Sequence, residues 1–434
     1  MIKHSYTWTS EQELIFDTVA AKNQDGTPLH SLVKINAVAG ASKTTTLVEL
    51  ARRAALEDPS RTFRYLVFGN ANSAEAKFKF GHNAICSTLH SLAYQAVVKP
   101  YGLRTPVHPF ITWKDIPPSI KIPFGETSAV IETISAFCNS AYTDLSHYLR
   151  DEDIDRTLHK PVREVLMGMS SGALPCTHEL YLKLYHIGLL EGTIIPATED
   201  ILAVDEAGDL TQITLDIFNK FPAHQKIMVG DSAQAIFQFM GCINGFTFFK
   251  GKGISLNLTK SFRVSAPIAA SIQSFCRKTF NPKLTIEGMD YVNPLVRTEA
   301  YITRTNSSLV SKIVDLNRTK TPFNLVSKMK AKQLFKYPLF LMSLKPGNKQ
   351  IDPQLKAIQT EVEKWNSSQT IQQAHPSLFG FILSENQDNP EVNAAANLIR
   401  TFGFDDVFAA FKATDEHKST LGALTLTTAH SSKG

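Results

Sequence analysis

Short apolar runs recur along this chain, and each ends in a polar or acidic cluster. Leu32 to Ile35 leads into Ala37-Val-Ala-Gly-Ala-Ser-Lys-Thr44. Tyr65-Leu-Val-Phe68 leads into Gly69-Asn70, Ile201-Leu-Ala-Val204 into Asp205-Glu206, and Lys226-Ile-Met-Val229 into Gly230-Asp231. Ala300-Tyr-Ile-Thr303 and Leu424-Thr-Leu-Thr-Thr428 repeat the pattern near the other end. Runs that do not alternate suit strands buried on both faces of a parallel sheet. Functional groups just past their carboxyl ends fit the crevice of an open α/β sheet. After the first run the period changes. Leu47, Leu50, Ala51 and Ala54 predict a helix. From His90 to Ile201 helical patterns dominate, broken at Pro106, Pro109, Pro117, Pro118, Pro161 and Pro175, as in a helical insertion. Ser308 to about Lys418 reads as a second inserted subdomain.

The chain has 434 residues, too many for one ordinary core. Its hydrophobic fraction of 43% and charged fraction of 20% are those of a folded, soluble protein. The net charge of +5 is compatible with a nucleic-acid partner without requiring one. Cys86, Cys138, Cys176, Cys242 and Cys276 are far apart, which argues against a zinc site or a disulfide framework and for reduced thiols inside a cell. Met1 to Gln12 lacks the apolar core of a signal peptide. No apolar run approaches the roughly 20 residues that span a bilayer. An intracellular protein with no membrane role is expected.

The segment 37–44 reads as a phosphate-binding loop, because it stands between a strand pattern and a helix pattern. Such a loop turns the backbone N–H groups of Ala39, Gly40, Ala41, Ser42 and the following turn through Thr45 toward phosphates. Lys43 then reaches the outer phosphates, and Thr44 offers its hydroxyl to Mg2+. The pattern asks for Gly where Ala37 and Ser42 stand, and a side chain at Ser42 restricts the backbone. Asp205-Glu206 after a strand supplies a second Mg2+ ligand in Asp205 and a group to orient or deprotonate water in Glu206. Asp209 is a candidate helix cap. Gln234, in the loop after Gly230-Asp231, is placed to sense the terminal phosphate. Phe237 and Phe239 either stack on bases of a single strand or belong to the core.

Six segments in order now carry a family likeness. They are Thr9-Ser-Glu-Gln12, Phe68 through Lys77, Thr88-Leu-His-Ser-Leu-Ala-Tyr94, Asp205-Glu-Ala-Gly-Asp209, Leu258-Thr-Lys-Ser-Phe-Arg263 and Thr428-Ala-His-Ser-Ser-Lys-Gly434. The set resembles UvrD-like superfamily 1 DNA helicases, and within them the F-box DNA helicase branch. The resemblance implies an α/β fold with two RecA-like parallel-sheet motor domains, interrupted by helical subdomains. The first motor domain would comprise 1–95 and 196–262 around an insertion at 96–195. The second would comprise 263–308 and 419–434 around 309–418, truncated at its carboxyl end.

On that likeness the protein is an ATP-dependent helicase or translocase using ATP and Mg2+, moving on single-stranded DNA, usually 3′ to 5′. Other replication or repair proteins are further expected partners. Gln12 would read adenine and Phe262 would stack on it. Arg263 would contact the terminal phosphate from the second domain. Phe68, His90, Phe237, Phe239 and His430 would line the DNA path, although His90 and His430 also suit structural hydrogen bonding. The chain departs from the pattern at Ala37 and Ser42, at Gly208 where Gln is usual, and at Met240 where Arg is common. It also lacks the sixth motif, whose arginine is worth about 10³–10⁵ in rate. A protein whose motor has decayed into a structural or recruiting role is the competing expectation.

Overall fold

A computed structural model describes residues 7–67, 70–122, 126–234, 242–279, 281–290, 299–326, 330–343, 365–385, 390–415 and 423–432. The chain forms two compact units, Met1–Val292 and Asn293–Gly434. In the first, six strands make one sheet in the order Ile254–Leu258, Leu32–Ala37, Ala223–Gly230, Glu199–Val204, Phe63–Leu66 and Ile85–Ser87. Every neighbouring pair is parallel.

Side chains alternate across this sheet and both faces are covered. Val33, Ile35, Phe63, Tyr65, Ile201, Ala203, Ile227 and Val229 pack on one side with Ile15, Phe16, Leu47 and Leu50 from helices Ser10–Ala20 and Lys43–Glu57. Leu66, Leu202, Val204 and Met228 pack on the other, with Leu180, Tyr181, Leu215 and Phe218 from helices His178–Glu191 and Gln212–Lys220. Burial on both faces is why these strands read as continuous apolar runs.

Residues 96–195 are mainly helical, with helices Thr127–Asn139, Leu145–Asp151, Arg156–Ser170 and His178–Glu191. One small parallel pair, Arg104–His108 with Pro175–Thr177, joins them. Pro161 does not break the chain into two helices: Arg156–Ser170 runs through it. Its ring forgoes a bond to the carbonyl of Thr157, an exposed residue in the first turn, where water can replace the missing donor. The first unit continues beyond 262. Ala269, Cys276, Leu284 and Ile286 join the core formed by the phosphate-loop strand.

The second unit holds a three-stranded parallel sheet in the order Ala300–Thr303, Leu424–Thr428, Phe323–Leu325. The strand Phe323–Leu325 lies inside the stretch read from sequence as an insertion. Leu309, Ile313 and Leu316 of helix Asn306–Arg318 pack against Phe323 and Leu426. A separate apolar cluster joins Phe340 and Leu341 to Ile382, Val392, Ala396 and Ile399. No disulfide joins the cysteines. Among the described residues no helix is long and apolar enough to cross a membrane.

Candidate active site

The sheet order assembles the motifs. Ile254–Leu258, Leu32–Ala37, Ala223–Gly230 and Glu199–Val204 are adjacent and parallel, so the segments that follow them emerge side by side at one edge. Those segments are Thr259–Arg263, the phosphate loop, Asp231–Gln234 and Asp205–Asp209.

The phosphate loop turns tightly after its strand. Val38 N donates to Leu258 O at 3.0 Å, and Ala41 N donates to Val38 O at 3.0 Å. Gly40 has φ +77, and a Cβ there would lie 2.4 Å from the Cβ of Arg263. Ser42 opens helix Lys43–Glu57 in the left-handed conformation, φ 60 and ψ 38, with no side-chain capping bond. Its carbonyl accepts from Thr46 N at 3.0 Å and Thr46 Oγ1 at 3.1 Å. Thr44 and Thr45 are half-buried in the first helical turn.

Lys43 Nζ donates to Glu206 Oε1 at 2.9 Å. Burial would lower the Lys43 ammonium, but Asp205, Glu206 and Asp231 outweigh it and hold it above its ordinary value. Asp205 is buried. Its Oδ1 accepts from Glu206 N at 2.7 Å and its Oδ2 from the Tyr65 hydroxyl at 3.0 Å. Burial pushes the Asp205 carboxyl up, and Lys43 opposes the rise. Glu206 has φ 53, a strained conformation for a residue with a side chain. Neighbouring bonds lock it: Ala207 N to Val229 O, and Asp209 N to Glu206 O, both at 3.0 Å. Asp209 is itself buried in this turn.

Gln234 Nε2 donates to Asp231 Oδ2 at 2.7 Å, and Ala233 N to Asp231 Oδ1 at 2.9 Å. Asp231 is buried, and burial raises its carboxyl against the pull of these bonds and of Lys43. On the other side, Ser261 is buried and its hydroxyl donates to Ala39 O at 2.7 Å, while Phe262 N donates to Gly40 O at 2.9 Å. The Phe262 ring is 42% exposed and Arg263 is exposed, both beside the loop and in its own unit.

Gln12 is only 3% exposed, with both ends of its amide engaged. Oε1 accepts from Thr9 N at 3.0 Å in a capping box, and Nε2 donates to Thr46 Oγ1 at 3.0 Å. Its neighbour Glu11 grips Thr259 through the backbone N at 2.7 Å and the hydroxyl at 2.8 Å.

Of the expected DNA contacts, His90 lies exposed on the short helix Leu89–Ala93, its ring 5.9 Å from Tyr181 and 6.2 Å from His178. Although the residue reaches solvent, desolvation of the ring by its packed neighbours, and then the adjacent His178, lower its imidazole. Phe68, Phe237 and Phe239, with Met240, lie outside the described residues. His430 stands in the short helix Ala429–Ser432 of the second unit, and its side chain lies outside the description too.

Four contributors escaped the sequence: Asp231, Tyr65, Ser261 and Glu11. Asp231 had a visible signal, an acid directly after a buried strand. The other three act through hydrogen bonds across long sequence separations, for which a single chain offers no signal.

A Mg2+ ion needs hard oxygen donors and keeps several of its own waters. Asp205 uses two of the about four acceptor sites of a carboxylate, and the Thr44 hydroxyl lies on the helix that Lys43 starts. These residues fit such an ion bound jointly with phosphates. No cluster of three or more His, Cys, Asp or Glu suited to hold a metal alone occurs among the described residues.

No family model matches the chain. It is 26% identical over 292 residues to F-box DNA helicase protein 1 of Schizosaccharomyces pombe, covering 60% of this chain and 32% of that protein. It is 27% identical over 308 residues to F-box DNA helicase 1 of Gallus gallus, covering 64% of this chain and 28% of that protein. The matched stretch thus spans about a third or less of these relatives. Among solved structures, the Hef helicase domain of Pyrococcus furiosus aligns at 12% identity over 93% of this chain and 68% of that one. Its TM-score of 0.28 is below that of a shared fold. The chain is thus similar to F-box DNA helicases of two organisms over about three-fifths of its length.

Proposed function

We propose that this chain is the ATP-driven motor of a DNA helicase or translocase acting on single-stranded DNA. The observation that carries the reading is Lys43, held among Asp205, Glu206 and Asp231 beside the Gly40 turn. When phosphates arrive, Lys43 leaves Glu206 for the outer phosphate oxygens, freeing the Glu206 carboxylate to accept a proton from the attacking water. Thr44 and Asp205 would hold Mg2+, which would supply positive charge against the phosphates. Gln234 registers the terminal phosphate through its bond to Asp231. Phe262 offers its exposed ring to the adenine, and Arg263 meets the terminal phosphate. Two RecA-like domains and movement from 3′ to 5′ follow from the family likeness. His90, with Phe68, Phe237, Phe239 and His430, would touch the strand. Replication or repair proteins are the expected company.

The test is ATP hydrolysis with and without single-stranded DNA. Lys43→Ala should abolish DNA-stimulated turnover. Glu206→Gln should stop turnover while ATP still binds, as read by a fluorescent nucleotide. Full activity in Lys43→Ala defeats the phosphate-loop assignment, and loss of binding in Glu206→Gln defeats the assignment of the base. A decayed motor predicts that the unaltered chain is itself inactive.

A further inference from the structure

Helix Ser10–Ala20 has acids at Glu11 and Glu13 in its first turn, where a carboxylate ordinarily serves its own helix through the dipole. Glu11 reaches elsewhere. Its carboxylate grips a residue 248 positions further along the chain. Oε2 accepts from the backbone N of Thr259 at 2.7 Å, and Oε1 from the Thr259 hydroxyl at 2.8 Å. Thr259 presents two donors side by side, and an ionised carboxylate offers two acceptors and no donor. The Thr259 carbonyl in turn accepts from Glu287 N at 2.9 Å, next to the pairing of strands Lys260–Ser265 and Glu287–Met289.

Thr259 begins the segment that carries Phe262 and Arg263. Further along it, the Ser261 hydroxyl donates to Ala39 O at 2.7 Å and Phe262 N donates to Gly40 O at 2.9 Å, so the phosphate loop holds the same segment. Beside Glu11, Gln12 Nε2 donates to Thr46 Oγ1 at 3.0 Å, and Thr46 Oγ1 donates to Ser42 O at 3.1 Å. Neighbouring residues of one helical turn therefore diverge, one to the phosphate-loop helix and one to the segment with the exposed ring. The bonds close a circuit through Glu11, Thr259, Ser261, the loop, Thr46 and Gln12. A ring that is 42% exposed is aimed by the backbone beneath it, and ring stacking depends on orientation. The loop tethers the segment at one point. The Glu11 clamp supplies the second point, which stops the segment from rolling about its own axis.

We infer that Glu11 is a positioning residue for nucleotide: by clamping Thr259 it sets the Phe262 ring where adenine is to lie. The inference rests on the reading of the chain as an ATP-driven motor and deepens it. The orientation of the base-stacking ring is assigned to a carboxylate that itself touches neither base nor phosphate. The long side chain of Arg263 can still swing to a phosphate when the segment rolls, whereas a ring must lie flat on its base.

The test measures binding of ATP and of inorganic tripolyphosphate, each with Mg2+, to the 434-residue chain by isothermal titration calorimetry. Glu11→Gln keeps the length of the side chain but turns an amide N–H toward one of the two Thr259 donors. It should weaken ATP binding about five- to twentyfold, within the worth of one stacked ring, and leave tripolyphosphate, which has no base, unchanged. Phe262→Leu should weaken ATP at least as much, and the double variant no more than Phe262→Leu alone, because Glu11 acts through that ring. Thr259→Ser keeps both donors and should bind ATP as the unaltered chain does. Thr259→Val keeps the backbone donor alone and should weaken ATP less than Glu11→Gln, with helix Ser10–Ala20 untouched. Unchanged ATP affinity in Glu11→Gln and Thr259→Val overturns the inference. An equal loss for ATP and tripolyphosphate, as general loosening of the fold would give, also overturns it, as does a double variant whose losses add. No ATP binding by the unaltered protein overturns the nucleotide reading itself.

Discussion

Replacing Ser42 by Gly should strengthen the protein, although it removes a side chain from the centre of the site. Ser42 has φ 60 and ψ 38. A side chain in that left-handed region costs about 1–2 kcal/mol, a penalty glycine escapes. Glycine returns about 0.4–1 kcal/mol of the gain by loosening the unfolded chain. No bond is forfeited, because the serine hydroxyl makes no cap and both bonds from Thr46 end on the backbone carbonyl. The net is about 0.5–1 kcal/mol in favour of Gly. A unit of 292 residues melts with a large entropy, so this corresponds to a rise of about 1–3 °C in Tm. Circular dichroism melting of the two proteins side by side reads it, and ATP turnover should stay level or rise. A fall in Tm of a degree or more would refute the reasoning, since it would mean that the hydroxyl holds the loop together.

Gly208→Gln restores the residue usual in the resembled family, yet should destabilise by about 1–3 kcal/mol, because a Cβ at 208 would lie 2.7 Å from the carbonyl oxygen of Asp231; urea denaturation checks it, and an unchanged midpoint would show that the two loops can separate freely. Lys183 is buried, donates to Ser140 O at 2.9 Å and is pushed by burial down to about 8 from 10.5. Between those values the unfolded chain keeps the proton that the folded one gives up, so this group makes stability rise with pH. The urea midpoint of the parent should therefore gain on that of Lys183→Met from about pH 7.5 to about pH 9.5, and a constant gap would count against the buried ammonium.

The central strands were legible because both their faces are buried. The runs at 32–35, 65–68, 201–204 and 226–229 all fall on interior strands of the six-stranded sheet, although Phe68 itself lies outside the described residues. The two strands without a signal are its edges. Ile254–Leu258 alternates half-buried with exposed residues before ending in buried Leu258, and Ile85–Ser87 is three residues long. Edge strands carry less apolar pattern and leave less trace. At the site, Lys43, Asp205 and Glu206, the residues named by motif spacing, are joined by hydrogen bonds. Gly208 looked like a decayed position. The structure gives it a packing reason instead, since Gly230 is equally tight: a Cβ there would lie 2.6 Å from Ala207 N. The loops bearing Asp205 and Asp231 touch backbone to backbone, which only small residues allow. Which loops touch is a property of strand order, and strand order is not written in any one motif.

That close contact has an electrostatic consequence. It presses Asp205, Glu206 and Asp231 around one lysine, and burial raises the carboxyl groups of Asp205 and Asp231 against the pull of Lys43. A triphosphate adds several more negative charges to a place where water screens little. On the proposed reading Lys43 could neutralise only one of them, and in doing so would give up its bond to Glu206. On that same reading, a divalent cation held by Asp205 would supply the missing positive charge. Strain at Glu206 and crowding among the acids are therefore two sides of one arrangement: a site whose charges oppose one another, as the proposed joint binding of nucleotide and metal requires.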